Sequence, residues 1–311
     1  MYSYPRIKRL PIMALTGGDN MDIWHRLGRI IRISNLGTVI FFALNILLII
    51  AVFGSSGNIF ELILIYFITV TISLSPIGEV FLAAFAGARD IKRVDIKLRV
   101  IPLVQYVLDK ANENTPYCPK KVKVLLVHDS APNAFALGKR TLCITDGLLT
   151  LSDDMILGVL AHEIGHLSYG HTVIQLLIGG GNLFISGCLL LIKLSCWIFS
   201  AIMGLFAIGS RSGIIGLITG LFAGISTVLS WLWVKFCMLF LMWSMRQNEY
   251  LADKFAYRIG FGLELATVLD QHLSDVPNDG FLKALYSTHP CNDDRVAALQ
   301  NLGVPYSRYH Y

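Results

Sequence analysis

Long apolar runs separated by polar segments organise the chain. Residues 36–53 form an uncharged run; a second is strongest over residues 59–74 and is expected to kink at Pro76 if it continues to residue 88. Residues 173–208 and 214–245 are apolar apart from one lysine each. Because about 20 residues cross a bilayer, each early run fits one crossing, whereas hydropathy alone allows one or two for each later run.

The polar region of residues 89–172 has a mixed helix and strand pattern. An amphipathic helix is expected over residues 94–112, and β-branched or apolar stretches predict strands at 122–127, 134–137 and 142–145. A second amphipathic helix is expected from about residue 152 to residue 169 or beyond, after a T-x-x-D capping box that begins at Thr150. The pattern predicts a mainly α fold with a small sheet (α+β).

The amino-acid composition indicates a chain that lies largely in a lipid bilayer. Of its 311 residues, 54% are hydrophobic and 15% are charged, against about 25% charged in an average soluble domain. We therefore expect an integral membrane protein whose partner is the lipid bilayer, with one modest water-facing domain. The formal net charge is only +5 and shows no continuous basic patch, so no nucleic-acid partner is expected.

The basic residues predict the membrane orientation. Lysine and arginine cluster before the first run, after the second and after the fourth, whereas Arg211 is the one basic residue between the third and fourth runs. The positive-inside rule then predicts a multi-pass protein of the cytoplasmic membrane, with both termini and the central region facing the cytoplasm.

The second amphipathic helix carries His162-Glu163-Ile164-Gly165-His166. Histidines four residues apart share one helix face and can bind one Zn²⁺, while Glu163 is placed to act as general base on a zinc-bound water, whose pKa zinc lowers to around 7. Two chance histidines on an amphipathic helix are the alternative, which a third ligand would disfavour.

The third zinc ligand is predicted to be Glu249. His171 does not fit the HExxHxxGxxH spacing and is interpreted as an interfacial histidine. Glu249 and Asp253 share a face of a later helical segment, so Glu249 is predicted to complete a His₂Glu site and Asp253 to hydrogen-bond the far nitrogen of a zinc histidine. An exposed acidic helix face is the alternative.

The predicted ligand set restricts the membrane topology. Glu249 must reach the same side of the membrane as the two histidines, so the intervening sequence must cross an even number of times. One crossing for each of the later apolar runs satisfies this condition, which gives four transmembrane helices in total.

Four motifs in order resemble the HtpX-like membrane zinc proteases, a family that includes the CAAX prenyl endopeptidases. They are Asn133-Ala134-Phe135-Ala136, the segment from His162 to His166, the segment from Glu249 to Asp253, and Ser287-Thr288-His289-Pro290 followed by Arg295. The resemblance implies a gluzincin-type domain that binds one Zn²⁺ per chain.

The same resemblance assigns roles by position. Asn133, Ala134 and Phe135 would belong to a substrate-binding edge strand, although Asn133 also fits a turn after Pro132. His289 and Arg295 would form a second catalytic cluster, in which His289 stabilises the oxyanion and Arg295 orients a carboxylate or a helix. A structural histidine is the alternative for His289.

The leading hypothesis is a membrane-bound zinc-dependent endopeptidase that acts in membrane protein quality control or processing. Its substrates would be membrane or misfolded proteins, or the C-terminal peptides of lipidated proteins. An intramembrane protease is disfavoured because the start of the HExxH helix is polar, and a non-catalytic zinc-binding scaffold or sensor would need a closed site with four protein ligands.

These hypotheses divide the chain into five parts. They are a cytosolic N-terminal segment (1–34), a first transmembrane hairpin (35–88), the first part of the catalytic domain with the HExxH helix (89–172), a second transmembrane hairpin (173–245) and the second part of the catalytic domain (246–311).

Overall fold

A computed structural model of the chain describes residues 33–55, 58–209, 213–272 and 290–308, which are mostly helical with one small sheet. Short 3₁₀ turns lie at Ile33–Asn35 and Leu148–Thr150. The helices are α1 Leu36–Phe53, α2 Ile59–Ser73, α3 Pro76–Phe85, α4 Val94–Asn114, α5 Asp153–Tyr169, α6 His171–Gly209, α7 Gly213–Arg258, α8 Gly262–Gln271 and α9 Asn292–Asn301. The strands are β1 Arg89–Asp90, β2 Lys123–Val127, β3 Ala134–Leu137 and β4 Thr141–Thr145.

The sheet has the strand order β1-β2-β4-β3. β2 and β4 are parallel, whereas β1 pairs antiparallel with β2 and β3 pairs antiparallel with β4. β4 is central and buried at all five positions, and β3 lies at an edge of the sheet. The prediction for β3 has the observed bounds, while β2 starts one residue later and β4 one residue earlier than predicted.

The largest core joins two segments that are distant in sequence. It combines one face of the sheet with α4 and α5 from the central region and with the end of α7, α8 and α9 from the C-terminal region. α4 contributes Ile96, Val100, Val104 and Val107, whose spacing of three or four residues follows one helix face. The two polar regions of the chain therefore form one packed body.

α5 begins two residues later than the predicted capping box implies. Ser152 is its N-cap, and the Ser152 hydroxyl accepts a hydrogen bond from the Met155 N–H. The Thr150 hydroxyl instead donates to the Gly147 carbonyl inside the preceding 3₁₀ turn. The T-x-x-D prediction was therefore wrong by two residues, because a local turn uses the hydroxyl that the motif assigned to the helix.

α6 and α7 are each one continuous helix, of 39 and 46 residues. At 1.5 Å per residue they are about 58 and 69 Å long, well beyond the roughly 30 Å of a hydrocarbon core. α7 does not end after its apolar run but continues through Glu249 and Asp253 to Arg258. The expected separate helical segment is thus the far end of the same helix.

Three helices of the described residues are long and apolar enough to cross a membrane, namely α1, α6 and α7. α2 and α3 pass the same test of length and composition as a pair, and they are bent by 69° at their junction. The composition and these helices make the chain a membrane protein.

Candidate metal centre and active site

Two buried histidines of α5 form the first half of the site. The Nε2 atoms of His162 and His166 lie 3.1 Å apart, and both residues are more than nine-tenths buried. Gly165 allows another helix to come close here, because a Cβ at this position would lie 3.3 Å from the Ala252 Cα of α7. The small residue inside the motif therefore brings α7 against the histidine face of α5.

The close packing of α7 brings Glu249 to the two histidines. Its carboxylate oxygens lie 3.5 Å from His162 Nε2 and 3.3 Å from His166 Nε2. Ligand atoms of the three residues lie within 4.8 Å of one another. Two imidazoles bound tetrahedrally at about 2.0–2.1 Å would have nitrogens about 3.3 Å apart, so this donor set fits Zn²⁺.

Asp253 and Arg295 form a buried layer behind the three residues. Asp253 Oδ1 lies 2.8 Å from His162 Nδ1, so the carboxylate faces the imidazole nitrogen that points away from Glu249. Arg295 of α9 donates to both oxygens of Asp253, at 2.9 and 2.7 Å, and its Nη1 lies 3.5 Å from Glu249 Oε2. Arg295 thus bridges the two carboxylates.

The charges of this layer favour one protonation pattern. Burial alone would raise the pKa of Asp253, but the charge and hydrogen bonds of Arg295 and the contact with His162 hold it below its usual value. Burial and Arg295 would lower the pKa of His162, yet Asp253 and Glu249 raise it to about 10. These contacts favour the protonated imidazole, so binding of a cation at His162 is expected to release a proton.

Glu163 lies between the histidines and the edge strand. One carboxylate oxygen is 3.9 Å from His162 Nε2, and the other accepts a 2.8 Å hydrogen bond from the backbone N–H of Ala136. This N–H belongs to β3, so one hydrogen bond joins the candidate base to the edge of the sheet.

The backbone of β3 alternates between its partner strand and its open edge. Asn133 uses its C=O to accept from the Thr145 N–H and its own N–H to donate to the Thr145 hydroxyl. Along an antiparallel strand, successive residues direct their N–H and C=O groups alternately toward the partner strand and away from it. Phe135 therefore directs these groups toward β4, whereas Ala134 and Ala136 direct theirs away from it. The Ala136 bond to Glu163 fits this alternation.

The side chains of β3 lie on two faces. Ala134 and Ala136 are buried on the face that packs against α5, whereas Phe135 packs with Ala83 of α3 on the opposite face. Of the residues predicted to bind substrate, Ala134 presents its backbone at the open edge, and Asn133 and Phe135 do not. His289 lies outside the described residues.

His171 is the residue that sequence analysis misjudged. It is only 3% exposed, and its Nδ1 lies 3.0 Å from Nδ1 of His166. The interpretation as an interfacial histidine was wrong because α5 ends at Gly170, whose φ of 74° starts a new helix and turns His171 back onto His166. A glycine at this position is a common helix C-cap and was the available signal.

Replacing His171 by alanine is expected to weaken zinc binding about 10- to 100-fold, because a hydrogen bond to Nδ1 fixes the ligand tautomer of His166. Competition with a chromogenic chelator measures the affinity. His171→Asn places an acceptor near the Nδ1 position and should recover much of the loss. Ser168→Ala, which removes a buried hydroxyl of α5 that donates to the Ile164 carbonyl, is the control. Equal affinities for His171→Ala and Ser168→Ala would contradict the assignment.

Two imidazoles from an HExxH helix, a glutamate from a later helix and an adjacent edge strand are typical of HExxH metallopeptidases. The model of Peptidase family M48 matches residues 99–303, and the chain belongs to this family.

Several individual proteins are similar to this chain. The protease HtpX homolog of Desulfotalea psychrophila is 28% identical over 189 residues, which cover 54% of this chain and 63% of that protein. Protease HtpX of Pasteurella multocida is 27% identical over 84% of this chain and 88% of its own length. The crystal structure of S. mikatae Ste24p is similar with a TM-score of 0.48 at 19% identity, covering 90% of this chain and 66% of that one.

Proposed function

We propose that the protein is a membrane-bound zinc endopeptidase. The observation that carries the proposal is the buried cluster of His162, His166 and Glu249, with Glu163 held between it and the edge of the sheet. These three residues would hold the ion, and zinc, when bound, would supply a Lewis acid and a water that is nucleophilic near neutral pH.

Other residues of the chain transfer the proton and bind the substrate. Glu163 takes a proton from the attacking water and later gives it to the leaving amine, while the Ala136 N–H keeps its carboxylate in place. The substrate adds to β3 as a further strand through the N–H and C=O of Ala134 and the C=O of Ala136, and Asn133 contributes its side chain.

The surrounding layer keeps the site in order. Asp253 fixes the tautomer of His162, and the single positive charge of Arg295 reduces the repulsion between two carboxylates that are buried close together. His289, which belongs to the same motif as Arg295, is proposed to stabilise the oxyanion of the tetrahedral intermediate.

The proposed topology has four crossings, with the termini and the active site facing the cytoplasm. α6 and α7 cross once each, which brings Glu249 back to the side of the two histidines. The five-part division predicted from the sequence is retained, with residues 89–172 and 246–311 forming one gluzincin-type domain. We assign its role to membrane protein quality control or processing.

Metal dependence tests the proposed function. The purified protein is expected to degrade casein, to lose this activity after chelation verified by elemental analysis, and to regain it with one equivalent of Zn²⁺. Zinc should also raise the melting temperature, because a ligand that binds only the folded state adds about 4 kcal/mol to the free energy of unfolding at a concentration of a thousand times its Kd. Proteolysis that persists in the metal-free protein would refute the zinc mechanism, and zinc binding without proteolysis would favour the scaffold.

A further inference from the structure

α3 presents an apolar face that the described residues leave open. Its exposed side chains follow the spacing of one helix face, and the exposed fraction is 72% for Ile77 and 85% for Phe85. The face consists of Ile77, Val80, Phe81, Ala84 and Phe85. Five neighbouring exposed apolar side chains are stable only in an apolar environment, and no described part of the chain supplies one.

The opposite face of α3 packs against the hairpin of β3 and β4. Ala83 belongs to the cluster that includes Phe135 and Leu137 of β3. The Glu79 carboxylate accepts a hydrogen bond from the Lys139 N–H in the turn that joins the two strands. α3 is therefore fixed to the strand whose open edge reaches Glu163.

α3 continues directly from a membrane helix but does not continue its direction. Only residues 74 and 75 separate it from α2, and the two axes differ by 69°. Ten residues make a helix of about 15 Å, half of a hydrocarbon core, so α3 is too short to cross by itself. A helix bent this far from a span, with one apolar face, has the geometry of a helix lying in the membrane interface.

Basic side chains follow α3 directly. Arg89, Lys92 and Arg93 are exposed, and Lys97 is exposed on the first turns of α4. Two aspartates in the same stretch, of which Asp95 pairs with Arg93, leave a net positive charge, and an anionic leaflet attracts this charge. A bilayer surface offers both components, acyl chains for the apolar face and anionic headgroups for the basic segment.

We propose that α3 lies in the plane of the bilayer surface and holds the edge strand β3 directly above it. A second connection supports this position, because the Thr172 hydroxyl at the start of the long apolar helix α6 donates to the Gly138 carbonyl in the same turn. This position, taken together with the proposed function on which it rests, assigns the substrate class. The substrates are polypeptide segments that leave the membrane within a few residues of the cleaved bond.

Photocrosslinking in vesicles tests the position of α3. The photoreactive residue p-benzoylphenylalanine is placed at Phe81 or Phe85 of the full-length protein in vesicles of phosphatidylglycerol and phosphatidylethanolamine. Lipid adducts, detected by mass spectrometry, are expected at both positions at yields near those of Phe67, an exposed residue of α2. Tyr117, in the polar loop after α4, is the control and should give few. Adducts to a second copy of the chain, or yields no higher than at Tyr117, would overturn the proposal.

A second experiment tests the substrate class. Two substrates carry the same cleavable sequence either 4 or 25 residues from a membrane helix and are incorporated with the enzyme into vesicles. The near substrate is expected to be cleaved at least tenfold faster, and equal rates would overturn the assignment. Casein hydrolysis in detergent monitors the proposed function separately: loss of both membrane substrates and casein rejects the peptidase, whereas retained casein hydrolysis with equal membrane rates rejects only the positional inference.

Discussion

A Glu163→Gln variant is expected to hydrolyse peptide bonds about 10²- to 10⁴-fold more slowly than the parent, the usual contribution of a positioned general base. The amide cannot accept a proton from water. Its oxygen can still accept the hydrogen bond from the Ala136 N–H, so the side chain and the edge strand should keep their positions. Zinc content and melting temperature should therefore match the parent, and the initial rate of casein hydrolysis measures the effect.

The matched control is Glu264→Gln, a change of the same kind at a half-buried glutamate of α8. It removes a charge near the same core without touching the metal centre, and it should leave hydrolysis within about twofold of the parent. A Glu163→Gln protein that cleaves casein as fast as Glu264→Gln would show that another group accepts the proton.

Arg295→Leu is expected to have the largest effect on stability. It removes the guanidinium that contacts both Asp253 and Glu249 and leaves His162 alone to offset these two buried carboxylates. Breaking one partner of a buried ion pair costs about 3–5 kcal/mol, because the remaining charge stays out of water. The free energy of unfolding of the metal-free protein in detergent measures this loss.

A double-mutant cycle separates the ion pair from simple loss of packing. Adding Asp253→Asn to Arg295→Leu removes the uncompensated charge and should restore part of the stability, so the two changes are expected to be non-additive. Lys110→Leu breaks the exposed pair with Glu113 and should change stability by at most about 1 kcal/mol. Additive losses at Asp253 and Arg295 would contradict the bridging role of Arg295.

Local patterns were sufficient for much of the fold. β-branched or apolar stretches predicted all of β2 and β3 and most of β4, and apolar spacing predicted α4 to within two residues of its end. The i, i+4 spacing placed His162 and His166 on one face of α5. Each of these features depends on residues within a few positions of one another, which is why the sequence was informative.

The sequence predictions failed where one local residue pattern is compatible with two different structures. The hydroxyl of Thr150 was available to a turn as well as to a helix, and the turn used it. Gly170 was compatible with a continuing helix or with a C-cap, and its left-handed conformation reversed the placement of His171. The kink predicted at Pro76 is confirmed as a 69° bend, and the helix after it rests on the sheet.

The sequence by itself determined that the chain lies in a membrane and carries metal-binding residue types on a helix, since hydropathy and helical spacing are local properties. Only the tertiary structure decided that α7 brings Glu249 and Asp253 to His162, that Arg295 bridges them, and that an Ala136 N–H binds Glu163. These contacts join residues up to 91 positions apart, and their distances depend on how closely helices pack at small residues such as Gly165, which no local pattern specifies.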